Sequence, residues 1–328
     1  MIREIVRNVY EIKVELPGSP LRDLNSYVFT SSDRNLLIDT GFNMPKCLED
    51  LKIGISELEL DMGKTDVLIT HFHSDHCGLI DKIIEPDSTV YMSGVDSELF
   101  YESLGEKGFW TKTISMYREE GFPEGVLGHA SRVNPLKASA AQRPVRITPV
   151  HDGQIIIVGD MELKCVGAAG HTPGHICLYD EKNKLMVLGD HVLFDITPNI
   201  TAWVTLKNAL KVYLDNLKNI KNYEVEIPLP GHRGCECTMN ERIGQLIKHH
   251  EIRLEEILGI VRQTPGINAY DIAGEMDWMI HAKSWDDFPI QQKIFAFGEA
   301  ICHLYYLEES GTIQRDLINE IAAYSIVV

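Results

Sequence analysis

The chain has 328 residues, 44% hydrophobic and 24% charged, which suits a globular protein with one large core, or a main domain and a smaller one. Its net charge of −17, with no Lys/Arg run to offset it, disfavours nucleic acid and favours a small substrate. No apolar run approaches the roughly 20 residues of a membrane span, and the start Met1-Ile2-Arg3-Glu4 lacks the apolar stretch of a signal peptide.

Seven scattered cysteines then read as reduced thiols in a cytoplasmic protein, with Cys235-Glu236-Cys237 structural rather than zinc-binding. In chain order, β-branched runs at 12–16, 26–30, 35–39, 66–70 and 89–92 predict strands, and residues 44–53 and 78–84 predict helices. Residues 94–145 change to helical spacing and hold Phe100, Tyr101, Phe109, Trp110, Tyr117 and Phe122. These aromatics suit equally a lid or acyl-binding wall and the core of a helical hairpin. Strand texture returns at 155–158, 161–166, 175–179, 184–188 and 223–229. From 241 the pattern is helical to the end, with a possible hairpin at Gly311-Thr312-Ile313. The expected organisation is a main α/β domain over 1–235, with a helical insert at about 94–145, and a small C-terminal domain over 236–328.

The sharpest signal is His71-Phe72-His73-Ser74-Asp75-His76, directly after the apolar run 67–69. Neutral imidazole and carboxylate are the ligand types that hold zinc, iron or manganese. Three later runs repeat the layout of an apolar strand followed by a potential ligand beside glycine: Gly170-His171-Thr172-Pro173-Gly174-His175, Gly189-Asp190-His191 and Pro230-Gly231-His232. His151 reads as a turn residue, His249 and His250 as the surface of a helix, and His191 as a loop residue sooner than a substrate contact.

The order HxHxDH, GHTPGH, GDH, PGH resembles the metallo-β-lactamase-fold hydrolase superfamily over residues 10–235. The resemblance implies an αββα sandwich with the site at one edge of two sheets. It implies two divalent ions, the first on His71, His73 and His171, the second on Asp75, His76 and His232, with Asp190 bridging. Asp39, in Leu37-Ile38-Asp39-Thr40-Gly41, would orient the ligands, and His175 would brace its loop. The ions, zinc first, iron or manganese otherwise, would share and activate a water that Asp75 helps to orient. An acidic residue at the bridge resembles the glyoxalase II, phosphodiesterase and tRNA-processing branches rather than true β-lactamases, which usually place Cys or Ser there. His73, where di-iron flavoproteins have Glu, disfavours an oxidase.

The segment from Glu241 through Phe297-Gly298-Glu299 to Gly311 resembles the winged-helix tail of lactamase-β-like proteins, a branch with endoribonucleases and polyketide thioesterases. Residues 241–328 hold seven basic and fourteen acidic side chains, so this module is expected to pack on the body, wall the site or dimerise rather than bind nucleic acid. The leading expectation is hydrolysis of an ester or thioester of a small organic acid by a soluble enzyme, with a homodimer as the expected assembly. The alternatives are a phosphodiesterase or endoribonuclease of the same fold, and a non-enzymatic metal-dependent binding protein.

Overall fold

The computed structural model describes residues 2–105, 109–130, 139–278 and 282–327. Two mixed sheets face each other. In the first, β1 (Ile2–Val6), β2 (Val9–Glu15), β3 (Asp23–Phe29) and β4 (Asn35–Ile38) pair antiparallel in sequence order. Then β5 (Thr65–Leu68), β6 (Val90–Ser93) and β7 (Ile147–Val150) continue parallel to β4. In the second, β8 (Ile155–Val158), β9 (Met161–Gly167), β10 (Ile176–Asp180) and β11 (Leu185–Gly189) are antiparallel, and β12 (Ile227–Pro230) adds parallel to β11.

Side chains alternate across a strand, so one strand can feed two cores. Phe29, Ile38 and Leu68 of the first sheet meet Leu163, Leu178 and Val187 of the second in the layer between the sheets. Their neighbours Val28, Leu37, Val67, Cys177, Met186 and Leu188 point outward, into the apolar cluster beneath the helices. This doubled burial explains the near-continuous apolar runs, and the architecture is an αββα sandwich. On the outer faces lie α1 (Pro45–Glu57), with proline in its first turn, the short helices α2 (Ser74–Cys77) and α3 (Ile80–Ile83), and α7 (Ala209–Ile220). None of the described helices is long and apolar enough to cross a membrane.

The insert forms α4 (Gly94–Leu104), α5 (Phe109–Glu119) and α6 (Glu124–Ala130). Its residues 106–108 and 131–138, and the side chains of Phe109 and Trp110, lie outside what is described. The C-terminal elements are α8 (Met239–Gln263), opened by a Thr238/Glu241 capping box, α9 (Ala269–Glu275), α10 (Ile290–Glu309) and the hairpin β13 (Ile313–Ile318)–β14 (Ile321–Ile326). Insert and C-terminal helices pack on each other: the Phe297 ring lies 5.0 Å from Tyr117 and 4.8 Å from Phe122, and Phe122 lies 5.2 Å from Tyr270. One continuous apolar cluster runs from Ile12 to Tyr324.

Four sequence expectations change. The hairpin, read as a short stretch at 311–313, extends from Ile313 to Ile326, and its turn residues Asn319 and Glu320 both hold positive φ (51° and 68°), as a tight two-residue connection requires. β1 and β7 were not anticipated; β7 carries Pro149, which reads as a strand breaker but is tolerated because β7 lies at the sheet edge. The helix expected over 78–84 shortens to Ile80–Ile83, and a separate short helix, Ser74–Cys77, precedes it inside the histidine cluster. His250 is not on the surface: it is 0% exposed and lies 3.0 Å from buried His303. The cysteines are free thiols.

Candidate metal centre

Every nominated side chain follows the C-terminal end of a strand. Asp39 follows β4, the 71–76 cluster follows β5, His171 follows β9, Asp190 follows β11 and His232 follows β12. Hydrogen bonds across the sandwich hold these ends together: the Ile176 N–H donates to the Thr70 carbonyl (2.9 Å), the Asn25 N–H to the Gly231 carbonyl (2.7 Å) and the Tyr27 hydroxyl to the Pro230 carbonyl (2.7 Å). Two glycines permit the close approach. Gly170 has φ +138°, and a Cβ there would lie 2.4 Å from Tyr213 Cβ; a Cβ on Gly231 would lie 2.6 Å from Asp190 Oδ1.

Outer hydrogen bonds fix the imidazoles. The Thr70 hydroxyl donates to Asp39 Oδ2 (2.8 Å), so its oxygen accepts from His71 Nδ1–H (3.1 Å). His76 Nδ1–H donates to Asp39 Oδ2 (2.7 Å), His171 Nδ1–H to the Asn199 carbonyl (2.9 Å) and His232 Nδ1–H to the Asp23 carbonyl (2.8 Å). In all four rings the Nε2 lone pair is thereby left to point inward. Asp39, with φ +59°, thus orients His76 directly and His71 through Thr70.

The inward atoms form two neighbouring sets. His73 Nδ1 lies 3.1 Å from His71 Nε2 and 3.0 Å from His171 Nε2. His232 Nε2 lies 3.4 Å from Asp75 Oδ2, and His76 Nε2 lies 3.9 Å from the same oxygen. Asp190 stands between the sets, Oδ2 at 3.6 Å from His171 and Oδ1 at 3.4 and 3.5 Å from His76 and His232. A tetrahedral ion with bonds of about 2.0–2.1 Å spaces its ligands about 3.3 Å apart, so both sets have the dimensions of a metal position. The atoms also lack other partners: His76 Nε2, His232 Nε2 and Asp190 Oδ1 are buried without a hydrogen bond. Such orphans in a native core point to an ion. The groups His71/His73/His171, His71/His76/Asp190 and Asp75/His76/His232 each bring their donor atoms within 4.8 Å of one another.

Electrostatics agree with that donor set. Burial and neighbouring imidazoles hold His71 well below the ordinary histidine range, and burial, with His171, pushes His73 down to about 3. Burial likewise lowers His171. These rings stay neutral, as ligation demands. At His76, burial opposes protonation, but Asp39, Asp190 and Asp75 outweigh it and raise the ring. Burial would raise Asp75, yet His76 and His232 hold it near 2, and the same two imidazoles keep Asp190 well below the usual carboxylate range.

His175 turns away from the centre: its Nε2 accepts the Asp190 N–H (3.1 Å) and steadies that backbone. His191 is buried between His175 and Tyr213, and His151 is exposed.

The strand-and-ligand pattern did not reveal Asp96. Buried on α4, it accepts from the Phe72 N–H (3.1 Å), the Thr172 hydroxyl (2.7 Å) and the Gly174 N–H (2.6 Å), tying two ligand loops together. Its sequence signal, three residues after Ser93 at a helix start, reads only as capping. Thr70, Asn199 and Trp203, whose ring lies 6.1 Å from His73 and 5.6 Å from Phe72, were also missed.

Residues 20–232 match the family model described as "Metallo-beta-lactamase superfamily". The chain belongs to that superfamily. Among solved structures, this superfamily member is similar to a metallo-beta-lactamase family protein from Thermus thermophilus (TM-score 0.82, 23% identity, covering 99% of this chain and 100% of that one). It is similar also to a beta-lactamase domain protein from Burkholderia ambifaria (TM-score 0.79, 22% identity, 99% and 95%). Curated relatives include the lactamase-like protein aptB of Emericella nidulans, 21% identical over 244 residues, 74% of this chain and 62% of aptB. Another is the atrochrysone carboxyl ACP thioesterase nsrC of Aspergillus novofumigatus, 22% identical over 265 residues, 80% of this chain and 65% of nsrC. The chain thus spans less than two thirds of the length of either fungal relative.

Proposed function

We propose that this protein is a dinuclear metal-dependent hydrolase acting on a thioester or ester of a small organic acid. The observation carrying the reading is the pair of donor sets flanking Asp190, with the buried, unpartnered His76 Nε2, His232 Nε2 and Asp190 Oδ1 facing one small volume. His71, His73 and His171 would hold one ion, and Asp75, His76 and His232 the other, with Asp190 shared. Bound divalent ions there would lower the pKa of water and polarise the scissile carbonyl oxygen. Asp75 would orient the attacking water and accept its proton. Asp39 would keep His71 and His76 in their ligating tautomers, and Trp203 would wall the histidine side. Water would add to the carbonyl carbon, collapse of the adduct would restore the C=O bond as the C–S or C–O bond breaks, and the proton taken up by Asp75 would leave with the thiol or alcohol.

The carboxylate at the shared position speaks against a true β-lactamase, and the relative named as an acyl-carrier thioesterase supports the thioester preference. The charge of −17 speaks against a polyanionic phosphodiester. We propose further that residues 236–328 are a winged-helix-like unit that packs on the catalytic body of residues 1–235, in keeping with three helices followed by a hairpin. Zinc is the proposed metal, with iron or manganese accepted by the same ligands.

Elemental analysis should give two metal equivalents per chain, and chelation should abolish cleavage of an acyl-thioester panel. His73→Ala and Asp190→Ala should do the same. Cleavage of phosphodiesters with no turnover of thioesters or esters would overturn the substrate class; full metal loading without any hydrolysis would leave the binding-protein reading.

A further inference from the structure

The contact between α8 and α10 reaches the metal centre through one loop residue. The Asn199 carbonyl, which accepts His171 Nδ1–H at 2.9 Å, lies in the stretch between β11 and α7, outside any regular element. No ladder fixes that carbonyl, so side chains must. The Asn199 side-chain amide donates to Glu299 Oε2 (3.2 Å) and to the Phe295 carbonyl (3.5 Å), both on α10. Glu299 Oε1 in turn lies 3.6 Å from Arg253 Nε, on α8. Arg253 is anchored through Nη1 to Glu256 (2.6 Å) and the Asp277 carbonyl (2.7 Å), and its guanidinium sits 4.2 Å over the Trp278 ring. The Glu299 side chain is only 12% exposed, so this carboxylate holds one place rather than sampling solvent.

We propose that Glu299, ion-paired with Arg253, is a positioning residue for the first metal position, acting through Asn199 on the tautomer and aim of His171. The inference rests on the dinuclear reading of the site. It gives the C-terminal helices a task in the chemistry of the body: they set how tightly His71, His73 and His171 hold their ion. The direct partner of a ligating histidine, here the Asn199 carbonyl, changes metal affinity by about 10–100-fold when lost; Glu299 stands one step further out, so its removal falls at the low end, about 10-fold.

The test is zinc titration against a chromophoric chelator, with the two positions assigned by comparison with His73→Ala. Glu299→Ala should weaken the first position by about 10-fold and leave the second unchanged. Glu299→Gln, which keeps an acceptor oxygen for the Asn199 amide, should recover most of that loss. Imidazole ¹⁵N shifts of the metal-free protein should show His171 protonated on Nδ1 in wild type and mixed in Glu299→Ala. Thermal unfolding checks that each variant folds; if Glu299→Ala does not, Asn199→Ala cuts the same link from the loop side. Wild-type affinity in Glu299→Ala, equal loss at both positions, or Glu299→Gln as weak as alanine would overturn the proposal. Wild-type protein that takes up no metal sinks the dinuclear reading itself, and the relay with it.

Discussion

Replacing Glu120 with alanine should loosen the attachment of the insert to the C-terminal hairpin. The Glu120 side chain is 1% exposed and accepts four hydrogen bonds: from the Tyr305 hydroxyl (2.9 Å), Arg315 Nε (3.1 Å), Arg315 Nη2 (2.9 Å) and the Tyr324 hydroxyl (2.6 Å). One carboxylate therefore joins the end of α5 to α10, β13 and β14. Alanine deletes the shared acceptor. Arg315, 16% exposed, keeps Glu119 at 2.5 Å, whereas the buried Tyr324 hydroxyl loses its acceptor. Removing one partner of a buried ion pair costs about 3–5 kcal/mol. The second partner and partial exposure of Arg315 place this case at the lower end, about 3 kcal/mol. That is a large share of the roughly 5–15 kcal/mol that separates folded from unfolded domains. Urea unfolding should show a lower midpoint at unchanged slope. Amide exchange in β13 and β14 should accelerate before that of the sandwich strands, because the hairpin would open locally. Glu120→Gln, which retains one acceptor, should lose about 1–2 kcal/mol. A loss below about 1 kcal/mol from alanine, or unchanged exchange in the hairpin, would refute the reasoning.

A methyl group at Gly231 would lie 2.6 Å from Asp190 Oδ1 and 3.0 Å from His76 Cε1, so Gly231→Ala should displace the shared carboxylate. Metal content should fall below two equivalents while the far-ultraviolet dichroism stays native; normal loading would contradict the geometry. The buried His250–His303 pair predicts acid sensitivity. His303 Nδ1–H donates to the Glu299 carbonyl, so its Nε2 accepts from His250 Nδ1–H and both rings are neutral. Burial lowers His250 well below its ordinary value and His303 to about 3. The unfolded rings bind protons first, so stability is full above about pH 6.5 and falls as pH drops below it, by at most about 1.4 kcal/mol per ring per pH unit. His303→Gln should reduce the slope of unfolding free energy against pH by close to one proton; an unaltered slope would count against it.

Much of the candidate site could be read in the sequence because the chain carries these side chains at strand ends. His71, His73, Asp75 and His76 lie within six residues, and a strand followed by a sharp turn is enough to present them together. His171, Asp190 and His232 could be nominated only by their order and their glycines. Their meeting depends on β9, β11 and β12 ending on the same side of a second sheet that closes against the first.

Local periodicity determined most strands and the helical character of the insert, because those properties depend on residues two to four positions apart. Only the tertiary structure decided that Asp96 joins two ligand loops, that His250 is buried, and that the insert's aromatics pack on Phe297 and Tyr270. The same holds for the path from α10 through Asn199 to His171. Each of these contacts joins residues far apart in the chain. An aspartate at a helix start or a histidine on a helix carries no local mark of the partner that folding brings to it.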